Sequence, residues 1–396
     1  MPNRRIRRKG YAVLLPAILL MLAFTVGGTQ QQTHGDLFAP IYQIYQYIES
    51  YFYQPERIDD QQALYGAMKG VVQHLNDPYS EFLDPDDRQR FDESLSGKFS
   101  GVGIELSIVD SVLTVITPLV GTPAEAAGVL AGDQILRIDD DSTEGLTLTE
   151  AAMKIRGEIG TSVMLTVRHD DGSIEEISIV RDTIILQAVK SELRADGQIG
   201  YIRLYRFEQS TTTELDTALS SFELDQLTGL ILDLRNNPGG LLHEAISVAS
   251  RFVDEGILLI TQDRLSDEKK YHARGNRIPN IPMAILINRG SASSSEIAAG
   301  AIRDNDMGIL IGEKSFGKGV FQQLIEFPDG SALKITAGEY LTPDRTVVNG
   351  VGLMPDIVVD EEQDPVDVAI EWILAHAGVV MPFDIAAETA DVVSSP

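Results

Sequence analysis

Apolar positions change their spacing along the chain, and the changes divide it. Leu37, Ile41, Ile44 and Ile48 recur at helical intervals, with Tyr42, Tyr45, Tyr47 and Tyr51 interleaved as core or dimer contacts. A second helix is expected over 61–75, stopped by Asn76-Asp77-Pro78, so 36–97 reads as a helical region. From 98 to 183 the pattern shifts to short alternating strands, with one helix over 147–155. From 184 to 378, apolar runs such as Met283-Ala284-Ile285-Leu286-Ile287 have the length of buried strands and alternate with helical stretches. The tail, 379–396, is small, acidic and patternless, and is expected to be loose. The fold class is therefore multidomain α/β: an N-terminal helical segment, a β domain with helices, and a mixed α/β core.

The 396 residues are too many for one ordinary core, and a hydrophobic content of 43% can fill several. The formal charge of −27 argues against nucleic acid or an anionic membrane surface as the main partner. Cysteine is absent, which excludes disulfides, a thiol nucleophile and lipidation through sulfur.

Arg4, Arg5, Arg7, Arg8 and Lys9 precede a mostly apolar stretch from Tyr11 to Gly28, broken by Pro16. Residues 1–30 thus read as a targeting segment, either a signal peptide or a single membrane anchor helix with its basic end in the cytoplasm. The rest of the chain is expected to be exported to the periplasm or another extracytoplasmic compartment.

Candidate chemistry gathers between Ile285 and Leu324. Ser293-Ser294-Ser295-Glu296 fits a capping box that opens a helix. The same position puts a hydroxyl beside unpaired amides and the positive end of the helix dipole, where an oxyanion can be held. Such a serine needs a base. Lys318 serves if burial, for instance by Phe316 and Phe321, keeps it neutral. Lys314 is an equally basic rival that spacing does not separate from it, and His243 offers a Ser–His–Asp triad instead.

Upstream, Asn236-Asn237-Pro238-Gly239-Gly240 ends a buried strand, where a glycine pair either makes a plain turn or aims amides at a carbonyl oxygen. Asp84, Asp86 and Asp87 lack calcium-loop spacing and read as a capped turn. No metal or cofactor is expected.

The run Ser291-Ala292-Ser293-Ser294-Ser295-Glu296-Ile297, followed by Asp304, Gly312-Glu313, Phe316-Gly317-Lys318-Gly319 and Gln322, resembles the motif of the carboxyl-terminal processing peptidases, or tail-specific proteases. Asp233-Leu234-Arg235 with Asn237-Pro238-Gly239-Gly240 is similar to a second motif of that family. The resemblance implies a serine peptidase in which Ser293 is the nucleophile and Lys318, rather than Lys314, the base. It also implies that Gln322 orients the lysine and that the Gly239 and Ser294 amides form the oxyanion hole. Ser294 stands where an alanine is usual.

The span 98–183, through Gly101-Val102-Gly103-Ile104 and the stretch 123–136, resembles a PDZ domain. Such domains hold a peptide's terminal carboxylate on backbone amides and add its strand to a sheet edge. Gly101, Val102, Gly103 and Ile104 are the tail-binding residues this implies. The expectation is an exported endopeptidase acting on protein or peptide substrates with apolar C-terminal tails, with a homodimer through the helical ends as a family trait. The alternative is a proteolytically idle PDZ adaptor.

Overall fold

The computed structural model describes residues 34–377, apart from 120, 265–267, 276–277, 280 and 361. The expected targeting segment and most of the acidic tail lie outside the described residues. After His74 the chain divides into two compact units.

In the first unit, helices His34–Tyr51 and Asp60–Gln73 follow the helical pattern. Asp59 caps the second, its carboxylate accepting the Gln62 amide at 2.9 Å. Leu37, Ile41, Ile44, Tyr47 and Ile48 are exposed, so they supply no core within this unit. Among the described residues no helix is long and apolar enough to cross a membrane.

The second unit is built on a six-stranded sheet. Its order is Val189–Arg194, Ile199–Leu204, Gly229–Asp233, Met283–Ile287, Ile309–Gly312 and Ile357–Val358, all parallel except the first strand. Side-chain alternation explains the unbroken apolar runs. Leu230 and Leu232 enter one cluster with the helices Thr211–Ser221, Leu242–Ala249 and Ser294–Asp304, while Ile231 enters another beneath Pro365–Ala375. Strands covered on both faces have no polar side to show.

A second sheet carries the hairpin Val320–Glu326 and Ala332–Leu341. Ala332–Leu341 also pairs antiparallel with Ile257–Asp263 and with Glu81–Leu83. That last strand lies in the stretch read as helical. Phe82 and Leu83 are buried there, and the pairing Phe82↔Leu333 comes from a residue far along the chain that no local pattern announces.

The strands Ile104–Val109, Val112–Pro118, Gln134–Ile138, Ser162–Arg168 and Ile174–Val180 form a separate antiparallel sheet around Val115, Ile135 and Leu165. The helix Leu148–Ile155 packs on it, opened by a Thr147–Glu150 capping box. The chain reaches this module along Lys98–Gly101 and leaves along Asp182–Ile185, and those two strands pair with each other.

Candidate active site

Three neighbouring parallel strands end at one place, and each delivers a loop. Gly229–Asp233 leads to Asn236–Gly240, Met283–Ile287 to Ser293, and Ile309–Gly312 to Lys318. Crevices beyond the carboxyl ends of parallel strands are the usual binding places of such sheets. Here an open cleft of ≈ 540 Å³ is lined by Ser293, Ser294, Lys318, Gln322 and Gly239, among others.

Ser293 caps the helix Ser294–Asp304 with φ 54° and ψ −113°. A serine seldom adopts a positive φ, and such strain costs on the order of 1–3 kcal/mol. The surroundings hold it there. Ser294 Oγ donates to the Gly240 carbonyl at 3.0 Å and Ser295 Oγ to the Asn237 carbonyl at 2.9 Å, which stitch the serine turn to the glycine loop. The Ala292 amide donates to the same Asn237 oxygen at 3.0 Å.

Gly239 adopts φ +98° against this turn. A Cβ on it would lie 2.8 Å from the Ala292 carbonyl oxygen and 2.9 Å from both Ser293 Cβ and the Ser294 amide nitrogen. The space in front of Ser293 therefore exists only because residue 239 has no side chain. The Gly239 amide itself donates to Asn237 Oδ1 at 2.9 Å.

Glu296 ties the serine to the lysine loop. Its carboxylate accepts the Ser293 amide at 2.9 Å and the Lys318 amide at 3.0 Å through Oε2, and the Ser315 hydroxyl at 2.5 Å and Gly317 amide at 2.7 Å through Oε1. It is almost wholly buried. Burial pushes its carboxyl above the ordinary glutamate value, and the four donors work against that rise. Tyr340 adds a second tie, its hydroxyl lying 2.7 Å from the Lys318 carbonyl and 3.1 Å from that of Ser293. Burial, and then the charge on Glu296, push the Tyr340 hydroxyl well up, so it stays a donor.

Lys318 is half-buried, while Lys314 is exposed. Burial first, and the charge of Lys334 second, pull the Lys318 ammonium below the ordinary lysine value, against Asp77, which raises it. Phe316 does not help, because it is 60% exposed. The ring that faces the lysine is Tyr79, whose centroid lies 4.7 Å from Nζ. Among the described residues, Nζ makes no hydrogen bond, to Ser293 Oγ or to any other group.

Gln322 lies at a register shift in Val320–Glu326, with its Nε2 3.5 Å from Thr336 Oγ1. His243 lines the cleft, but its side chain is 68% exposed and its Nε2 lies 3.6 Å from Glu244 Oε1. Asp304 accepts the Asp344 amide at 3.1 Å rather than reaching the lysine loop. Asp84 caps the helix Pro85–Ser96 by accepting the Asp87 amide at 2.8 Å.

In the other module, Val102 is a core residue and Gly101 and Gly103 are buried. The Val102 carbonyl accepts the Ala124 amide at 2.8 Å and the Gly103 carbonyl the Leu119 amide at 2.9 Å. Ile104 is partly buried against the module's core, on the strand beside the helix Leu148–Ile155.

Glu296, Tyr340, Tyr79 and Asp77 were not singled out as functional in the sequence. Of these, Glu296 carried a signal as the acidic residue of the capping box, while Asp77 and Tyr79 in Asp77-Pro78-Tyr79-Ser80 and Tyr340 in Tyr340-Leu341-Thr342-Pro343 lie in stretches that also resemble the peptidase family.

Comparison with known proteins matches residues 198–359 to the family model "Peptidase family S41", residues 114–169 to "PDZ domain", and residues 24–87 to "Activating protease CtpB N-terminal domain". The carboxy-terminal-processing protease of Bartonella bacilliformis is 38% identical over 356 residues, covering 88% of this chain and 81% of the relative. The carboxyl-terminal-processing protease of Picosynechococcus is 40% identical over 304 residues, covering 75% and 73%. Among solved structures, a photosystem II D1 C-terminal processing protease is similar with a TM-score of 0.52 and 28% identity, covering 88% of this chain and 98% of that one.

Proposed function

Because the chain belongs to the carboxy-terminal processing proteases of peptidase family S41, a serine-type family, we propose that Ser293 is its nucleophile and Lys318 its general base. The supporting observation is that adjacent strand ends bring a strained serine at a helix start and a desolvated lysine into one cleft. In this reading Ser293 Oγ bonds to the scissile carbonyl carbon as its proton passes to Lys318 Nζ. Lys318 returns that proton to the departing amine, which leaves an ester on Ser293. Lys318 then takes a proton from water as the water oxygen attacks the ester carbon, and passes it to Ser293 Oγ as the acyl–oxygen bond breaks and the new carboxylic acid leaves.

The oxyanion is held by the Ser294 amide at the helix start and by the Gly239 amide, which exchanges Asn237 Oδ1 for it. Gln322 keeps the lysine in line. The PDZ domain takes an apolar C-terminal tail at Gly101–Ile104 and its sheet edge, and delivers the adjoining extended segment to the cleft. Residues 1–30 carry the chain across the cytoplasmic membrane, and the exposed apolar helix His34–Tyr51 pairs two copies.

The test is cleavage of an unstructured protein with a free or an amidated C-terminus. Wild type should cleave the free-tailed form faster, whereas Ser293→Ala and Lys318→Ala should bind tails without cleaving. Cleavage lost in Ser293→Ala and His243→Ala but kept in Lys318→Ala would assign the base to the histidine. Full function in both Ser293→Ala and Lys318→Ala would leave an adaptor.

A further inference from the structure

The Lys318 ammonium faces an aromatic ring supplied by a distant part of the chain. Tyr79 is half-buried in the turn Asp77–Ser80, which is tightly pinned. Asp77 Oδ1 accepts the Tyr79 amide at 3.1 Å, and Asp77 Oδ2 accepts the Ser80 hydroxyl at 2.5 Å. Ser80 Oγ in turn accepts the Thr336 amide at 2.9 Å. Thr336 is the cross-strand partner of Gln322, so the turn is hooked onto the hairpin that begins two residues after Lys318. Immediately beyond the turn, Glu81–Leu83 joins the sheet and fixes its register.

A cation within about 6 Å of a ring centroid is attracted to the ring's negative face, and more strongly where water is excluded. At 4.7 Å from the Tyr79 centroid, Nζ meets this condition. Three other charges bear on the lysine. Asp77 raises its pKa from the same turn, Lys334 lowers it from the facing strand while paired with Glu81, and Glu296 holds its backbone amide from the serine helix.

We propose that Tyr79 is a positioning residue for Lys318, its ring face holding the ammonium whenever the lysine is charged and fixing where Nζ stands when the proton leaves. This rests on Lys318 being the base. Burial alone disfavours the charged form that the lysine must take while it holds the proton for the leaving amine. The ring face favours that charged form and so offsets part of the effect of burial.

The experiment measures kcat/KM against pH for cleavage of an unstructured protein by the full chain. Residue 79 is varied through Tyr79→Phe as reference, its mono-, di- and trifluorophenylalanine analogues, and Tyr79→Leu. Fluorine drains the ring face while nearly preserving its shape. The midpoint of the acid limb should fall stepwise with fluorine number, by about half to one pH unit in all, with the leucine variant lowest. A midpoint that stays level or rises across the series, with Lys318→Ala inactive, overturns the role of Tyr79. Cleavage by Lys318→Ala at the wild-type rate overturns the base assignment instead, and the Tyr79 proposal with it.

Discussion

The Lys318 amide donates to Glu296 Oε2 at 3.0 Å, and the same oxygen receives the Ser293 amide at 2.9 Å. One carboxylate oxygen thus sets the distance between the two backbones that carry the proposed nucleophile and base. Glu296→Gln turns an amide group toward backbone donors and should lower kcat about 100-fold, since small misplacements of reacting groups carry losses of that order. Glu296→Ala leaves four donors unmatched, the Ser315 hydroxyl and Gly317 amide among them buried, and should destabilise the fold by on the order of 3 kcal/mol. Chemical denaturation beside single-turnover kinetics separates the two effects.

The pH dependence of cleavage should follow Lys318. Its pKa lies below the ordinary lysine value, so kcat/KM rises with pH as the ammonium loses its proton, with a midpoint in the depressed range. Lys334→Met removes a repelling charge and should move that midpoint up. Asp77→Asn removes an attracting one and should move it down. Shifts of about half a pH unit are expected from partly screened charges. Opposite signs in the two variants are the check, and equal signs would contradict the electrostatic account.

Gly239→Ala should be much more harmful to activity than to folding. The new Cβ enters the space beside Ser293 and the Ser294 amide, at a backbone φ that alanine tolerates poorly. Loss of oxyanion stabilisation predicts a fall in kcat of about 100-fold or more, while strain predicts a stability loss of about 1–3 kcal/mol. Steady-state kinetics and thermal melting measure these separately.

The PDZ domain should loosen as pH rises beyond the ordinary histidine pKa. His169 Nδ1 lies 2.7 Å from the buried Asp133 Oδ1, and Nε2 lies 3.3 Å from Glu175 Oε2. The hydrogen bond to Asp133 first, and that to Glu175 next, raise the His169 pKa. A group with a raised folded pKa contributes its stability in full below the unfolded value and loses it as pH climbs through the folded one. Hydrogen exchange at the Leu130 amide, which Asp133 Oδ2 accepts at 2.8 Å, should therefore speed up beyond its ordinary pH dependence as pH climbs through the raised His169 pKa. His169→Asn should abolish that excess.

The fold was largely legible where local pattern and tertiary role agree. Buried strands of the central sheet read as apolar runs because both faces are covered, and Ser293-Ser294-Ser295-Glu296 read as a helix start because Glu296 does reach back to the Ser293 amide. What local spacing could not show is that Glu296 also holds a loop twenty-two residues onward. Nor could it show that the ring over Lys318 would be Tyr79 rather than its neighbour Phe316, which turns outward. The strand Glu81–Leu83 was hidden for the same reason: three residues beside a turn have no period, and their partner is Ala332–Leu341.

The paired strands Lys98–Gly101 and Asp182–Ile185 make the PDZ domain a side branch whose two stems touch at the trunk. A stretch whose ends already lie side by side adds little closure entropy to the fold that hosts it, however long it is. If the PDZ domain presents tails as proposed, grafting a different PDZ domain onto the same stems should change which tails are cleaved and leave the cleft at Ser293 and Lys318 as it was.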